Sequence, residues 1–234
     1  MDSKKLNENQ MKEIWNERYS SNEYAYGVEP NQYLKGAVEK YKLQGRVLFP
    51  GEGEGRNAVY AAKKGIESVA FDISVEGKNK AIKLAKSENV SIHYEVGEFM
   101  NMDFESNSFD AAVLIYSHFP PPIRSAYHKK IADLVKPDGL LILEGFSVGH
   151  LSLRESNPQV GGPNKIEMLY SKEGILQDFD EFEVVILEEV EIELNEGNFH
   201  NGVGRVIRFV GRKRTSQNYI FEPFFKNLNQ KNPV

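Results

Sequence analysis

The chain has 234 residues, 40% of them hydrophobic and 11% aromatic, which is enough to bury one sizeable core in a single α/β domain. A formal net charge of −5 gives no global attraction to nucleic acid or anionic lipid. There is no cysteine, which excludes disulfides, a thiolate metal site and a cysteine nucleophile; no metal site is expected.

The opening stretch MDSKKLNENQMKEIW lacks the apolar core of a signal peptide, and no apolar run approaches the roughly 20 residues of a membrane span. A cytoplasmic protein with neither a membrane nor a nucleic-acid partner is expected. Residues 1–40 read as a helical cap. Trp15 is expected to pack on the core, whereas Tyr26, followed by Gly27 and Pro30, lies in a turn-rich segment able to close over a ligand.

Beyond the cap, strands and helices alternate. RVLFP (46–50) is a strand, 55–65 a helix ending at Gly65, SVAFD (68–72) a strand, 75–88 a helix and SIHYEV (91–96) a strand. FDAAVLIY (109–116) is continuously apolar, as suits a central parallel strand covered on both faces. A helix with Pro122 near its start carries the stripe Ile123, Tyr127, Ile131 and Leu134; the preceding FPPP run is its entry. KPDG (136–139) reads as a type I turn into the strand LLILEGF. Such alternation implies right-handed crossovers and a doubly wound sheet.

The last third changes character. Ser147–Tyr170 is a long Gly-, Pro- and Asn-rich stretch placed to act as a lid. A strand over 182–194, expected parallel to the central ones, and VGRVIRFVGRK (203–213) form a hairpin around NEGNFHNG, with Glu189, Glu191 and Glu193 on a wet face. The fold class is therefore α/β, a mostly parallel doubly wound sheet closed by an antiparallel C-terminal hairpin. The domain spans 1–214, and 215–234 is a C-terminal tail, Asn-rich and aromatic, that reads as a docking arm or a partly disordered segment.

FPGEGEGRN (49–57) holds the chemistry. Gly51, Gly53 and Gly55 lie at a strand's carboxyl end, where doubly wound sheets bind ligands, and the helix that follows offers backbone N–H groups. Glu52 and Glu54 would repel a polyphosphate, and Arg56 stands where G-x-G-x-x-G needs its third glycine. Asp72, about 20 residues beyond the glycines, is placed for a ribose diol. A nucleoside bearing a small, partly cationic group fits, and S-adenosylmethionine is such a molecule. The alternatives are a nicotinamide-dependent oxidoreductase and a non-catalytic nucleoside-binding module.

The segments VLFPGEGEGRNAVYAAKKG, AFDIS, FDAAVLIYSHF and VKPDGLLILEGF resemble the class I S-adenosylmethionine-dependent methyltransferases over residues 10–213. WNERY…YAYGVEPNQYL, GGPNKIEMLYS and LNEGNFHNGVGRVI resemble the bacterial small-molecule enzymes of the tellurite-resistance and thiopurine type. The resemblance implies a seven-stranded Rossmann-like fold, S-adenosylmethionine as cofactor and a small-molecule methyl acceptor. It implies cofactor contacts from Gly51, Glu52, Gly53, Gly55, Asn57, Asp72, Ile73 and Tyr116, with Glu98 and the Phe99 backbone at the adenine. The family often has Asp and Cys where this chain has Phe49 and Glu52.

A neutral hydroxyl or amine acceptor benefits from a base of near-neutral pKa. His118, after the central strand, and His200, in the hairpin loop, are expected at the ligand edge, with Tyr26 as the third catalytic candidate. His93, His128 and His150 fit no pattern.

Overall fold

The computed structural model describes residues 8–215. Helices α1 (Glu8–Tyr19) and α2 (Gln32–Lys40) precede β1 (Arg46–Pro50), α3 (Arg56–Lys63), β2 (Glu67–Asp72), α4 (Val75–Ser87) and β3 (His93–Val96). Then come β4 (Phe109–Ile115), α5 (Pro121–Leu134), β5 (Val135–Phe146), α6 (His150–Ser156), α7 (Lys172–Asp178), β6 (Phe182–Glu196) and β7 (His200–Lys213). Apart from Thr215, the tail lies outside the described residues.

The seven strands form one sheet in the order β3-β2-β1-β4-β5-β7-β6. β7 is antiparallel to both β5 and β6, so β6 runs with the parallel strands, as the sequence implies. The chain reverses its direction of winding between β1 and β4, and the carboxyl edge there is where such sheets place ligands. β4 shows why the apolar run is continuous. Ala112 and Leu114 enter the layer that includes α5 and α7, while Ala111, Val113 and Ile115 enter the layer of α2 and α3. Tyr127, Ile131 and Leu134 of the α5 stripe are buried, with Ile123 packed at their margin.

Three local expectations are corrected. Asp138 has φ +68°, which a type I turn excludes and the third position of type II requires, so KPDG is a turn of the other kind. It forms a bulge in β5, since pairing jumps from Phe109–Val135 to Ala111–Leu140. The hairpin loop is only 197–199, because Glu196 already pairs with His200; His200 begins a strand. The 147–170 stretch is no plain loop. Ser147 bridges Tyr170 at its base, and His150, Val160 and Leu169 are buried against Phe146, Leu194 and Val206. α7 was not legible as a helix, although Ser171 caps it by accepting from the Gly174 N–H.

Gly55 has φ +88°, and a Cβ there would lie 2.5 Å from the Cβ of Ala81 in α4. Gly55→Ala is expected to destabilise by about 2 kcal/mol or more, since backbone strain and overpacking add. Denaturant unfolding checks it, against Gly36→Ala, whose Cβ would meet nothing within 4 Å.

Candidate active site at the carboxyl edge of the sheet

The glycine turn folds its own acids inward. Gly51, Gly53 and Gly55 all have positive φ, at 63°, 61° and 88°. This geometry turns the Glu52 carboxylate back to accept the N–H groups of Asn57 (2.8 Å) and Ala58 (2.7 Å). Glu52 thus caps α3. The expectation that this helix end offers its N–H groups to a ligand is corrected at those two donors, because a side-chain anion already satisfies them. Burial pushes the Glu52 carboxyl up to about 7, against the opposing pull of those N–H groups and Arg56. Glu54 is buried and paired with Lys80 of α4 (2.5 Å), and its second oxygen accepts the Ala25 N–H (2.8 Å).

Asp72 ends β2 and is buried. Its oxygens accept from the N–H groups of Gly53 (3.0 Å) and Ser74 (2.9 Å), and burial raises its pKa to about 6. Each carboxylate oxygen has a second lone pair, so a diol could still be accepted. Ile73 follows half-buried. Over the turn lies Tyr19 of α1, 5% exposed, its hydroxyl 2.6 Å from where a Gly53 Cβ would stand. Trp15 is half-buried and stacks on Tyr19 (5.5 Å) rather than entering the core. Asn16 anchors α1 by accepting the Ser74 hydroxyl (2.7 Å).

The other predicted residues divide. Glu98 accepts a hydrogen bond from the Tyr127 hydroxyl, and the Phe99 ring is in the core, stacked 4.3 Å from Phe71, so only its backbone can face a ligand. Asn57 accepts the Asn31 N–H (3.0 Å), tying α2 to the turn. Tyr116 has φ +53°, a strained conformation for a non-glycine residue, and its hydroxyl donates to buried Glu144 (3.1 Å).

Of the histidines, His118 and His150 have both ring nitrogens engaged. His118 Nδ1–H donates to the Met168 carbonyl (3.0 Å) and Nε2 accepts from Phe146 N–H (3.0 Å); burial lowers its pKa to about 3. It has no lone pair to offer a proton, which argues against the expected catalytic role. His150 bonds Gly161 and Arg205 in the same two-sided way. His200 differs: Nδ1 lies 2.9 Å from Glu196, and no partner holds Nε2 among the described residues. Tyr26, Tyr116 and Phe146 surround its ring with centroids at 4.5, 4.8 and 5.3 Å. Arg56 joins this group to the glycine turn, donating to the same Glu196 oxygen (3.0 Å) and lying 3.4 Å from the Tyr26 carbonyl.

Tyr19, Asn31, Glu54, Arg56 and Glu196 escaped sequence reasoning as members of this cluster. Of these, Glu54 and Arg56 carried a signal, as an acid inside the glycine turn and as the residue replacing a third glycine.

Residues 47–139 match the family described as methyltransferase domain. A search of the curated proteins finds no match. Among solved structures, a protein of echinomycin biosynthesis, from work on conversion of a disulfide bond into a thioacetal group, is 15% identical with TM-score 0.70, over 92% of this chain and 98% of that one. A SAM-dependent methyltransferase from Methanosarcina mazei is 19% identical with TM-score 0.60, over 77% and 98%. TehB from Haemophilus influenzae is 14% identical with TM-score 0.61, over 87% and 67%. These structural likenesses are of fold; the domain match supplies the chemistry. Residues 47–139 are thus a methyltransferase domain set in the class I methyltransferase fold, and the cofactor that this domain implies is S-adenosylmethionine.

The buried titratable groups oppose one another. His118, His128, His150 and His200 have pKa values lowered chiefly by burial, so the unfolded chain binds more protons and their stability contribution is lost as pH falls through about 6.5. Glu52 and Asp72 are raised, so the folded state holds their protons and their contribution weakens as pH rises toward about 7 and about 6. The melting temperature is expected to fall on acidification from pH 7 to 5. Asp72→Asn should steepen that fall by removing an opposing contribution, a difference that scanning calorimetry at several pH values reads directly.

Proposed function

We propose that the protein transfers the methyl group of S-adenosylmethionine to a small-molecule acceptor by in-line displacement, in the manner of the bacterial tellurite-resistance and thiopurine enzymes. The observation that carries this reading is the enclosure of the carboxyl edge. The glycine turn and Asp72 lie beneath the described part of the cap, residues 8–40, and His200 beneath the 147–170 insertion, so the reacting space suits a small molecule better than a macromolecular surface. The reading takes residues 1–214 as one methyltransferase domain. No helix of the described residues is long and apolar enough to cross a membrane.

When bound, the cofactor supplies an electrophilic methyl whose bond to sulfur breaks with the electron pair going to sulfur. The chain's own contribution is to bind and align. Gly51, Gly53 and Gly55 let the backbone approach the amino-acid portion, Asp72 and Ile73 border the ribose, and Glu98 with the Phe99 backbone borders the adenine. Tyr116 stands against the His200 ring. Holding the acceptor about 3 to 3.5 Å from the methyl carbon supplies much of the barrier reduction. His200 is the catalytic candidate for removing a proton, with Tyr26 against its ring.

Titration calorimetry tests the reading. S-adenosylhomocysteine should bind and NAD should not; Asp72→Asn should weaken binding by about 1.5 to 3 kcal/mol, the value of a hydrogen bond to a charged group. Binding of NAD without S-adenosylhomocysteine would overturn it. A mass-resolved screen of small acceptors for the gain of one methylene then identifies the substrate.

A further inference from the structure

The group Arg56–Glu196–His200 has a chemistry that its parts, taken singly, do not reveal. Glu196 is the last residue of β6 and pairs across the turn with His200, the first residue of β7. One carboxylate oxygen of Glu196 lies 2.9 Å from His200 Nδ1 and 3.0 Å from Arg56 Nη2. The three side chains are 15%, 5% and 9% exposed, so the contacts are shielded from water. A carboxylate held between a guanidinium and an imidazole remains ionised, and Glu196 is held down at about 2. An ionised carboxylate only accepts hydrogen bonds. His200 must therefore carry its proton on Nδ1, which leaves the lone pair on Nε2.

That lone pair is the unused valence of a buried ring. Tyr26, Tyr116 and Phe146 fix the plane of the imidazole, and the Nε2 edge faces the insertion at Gly161. A Cβ at Gly161 would lie 2.2 Å from the Phe199 carbonyl oxygen, 2.6 Å from His200 Cδ2 and 3.3 Å from Nε2, so glycine is what leaves room beside this edge. The ionisable groups around the ring are Glu196 from β6, Arg56 from α3, Arg18 from α1, Tyr26 from the cap and Tyr116 after β4, with His118 and His150 beyond. Burial and the two arginines favour the neutral ring, while Glu196 stabilises the imidazolium once a proton arrives.

We infer that Glu196 and Arg56 are positioning residues that hold His200 as the Nδ1–H tautomer with Nε2 as proton acceptor, and that the substrate is a small molecule whose O–H or N–H proton leaves as it is methylated. This rests on the methyl-transfer reading. The acceptor's proton passes to Nε2, its freed electron pair forms the new bond to carbon, and the imidazolium later releases the proton to water. A soft acceptor that is already anionic, such as a thiolate, needs no such base.

The test has two independent readouts. In nitrogen-15 spectra of histidine-labelled protein at pH 7.5, His200 is expected with Nδ1 protonated and Nε2 bare, and Glu196→Gln is expected to abolish that preference. Wild-type protein with the proton on Nε2 would overturn the inference. For turnover, phenols of graded acidity and thiophenol serve as probe acceptors. His200→Ala should slow phenol methylation by about 10² to 10⁴-fold, the usual contribution of a general base. Glu196→Gln should lower kcat for phenols and shift the rising limb of the pH profile, leave S-adenosylhomocysteine affinity unchanged and spare thiophenol; Glu196→Asp should restore part of the loss. If Glu196→Gln slows both probe types equally and lowers the melting temperature, Glu196 is structural and the inference fails. If His200→Ala leaves phenol turnover unchanged the base itself fails, whereas absence of S-adenosylhomocysteine binding fails the methyl-transfer reading. If Glu196→Gln does not fold, Arg56→Lys keeps a cation beside Glu196 and should retain the Nδ1–H tautomer; a switch of the proton to Nε2 in folded Arg56→Lys would overturn the inference.

Discussion

The turn from Gly51 to Asn57 is the constraint on which the site depends. Its three glycines take positive φ, where other residues are strained, and almost every residue between them is tied to a different element. Glu52 caps α3, the Gly53 N–H reaches Asp72 of β2, and its carbonyl accepts the Tyr94 hydroxyl of β3. Glu54 reaches Lys80 of α4 and the cap at Ala25, Arg56 reaches Glu196 of β6, and Asn57 reaches Asn31 before α2. A single tight reversal therefore registers the cap, three strands and two further helices on one edge of the sheet.

The acids of the turn follow from the same economy of space. Backbone N–H groups at a helix end, buried without partners, are costly, and so is an unpaired buried carboxylate. Glu52 removes part of both costs at once. Glu54 and Lys80 do the same across the α3–α4 side, where each charge is buried and the other neutralises it. Glu144 repeats the device in the sheet: 1% exposed, it accepts from Arg208 (2.7 Å), Asn31 (2.7 Å) and the Tyr116 hydroxyl, joining β5 to β7 and the cap. These networks are polar yet enclosed, and the one at Glu144 holds Tyr116 against the His200 ring.

The sequence by itself determined the alternation of strands and helices and the ligand edge, because each rests on periodicity or on glycine spacing within one short segment; the count of seven strands came only with the family resemblance. β4 was legible because both its faces are apolar, and the α5 stripe because its period is helical. The hairpin was legible as well and sets β6 against β7; that β6 runs with the central strands follows from β7 pairing antiparallel to β5. Asp72 could be singled out by its fixed distance from the glycines. What only the tertiary structure decided were the partners of charged and aromatic side chains. Arg56 and Glu196 are 140 positions apart, and nothing local indicates that they meet. The two-sided bonding of His118 depends on carbonyl and N–H groups from the insertion and from β5, so the engagement of both its nitrogens could not be read from its place after a strand. Pairing at a distance is set by packing, and packing is a property of the whole chain.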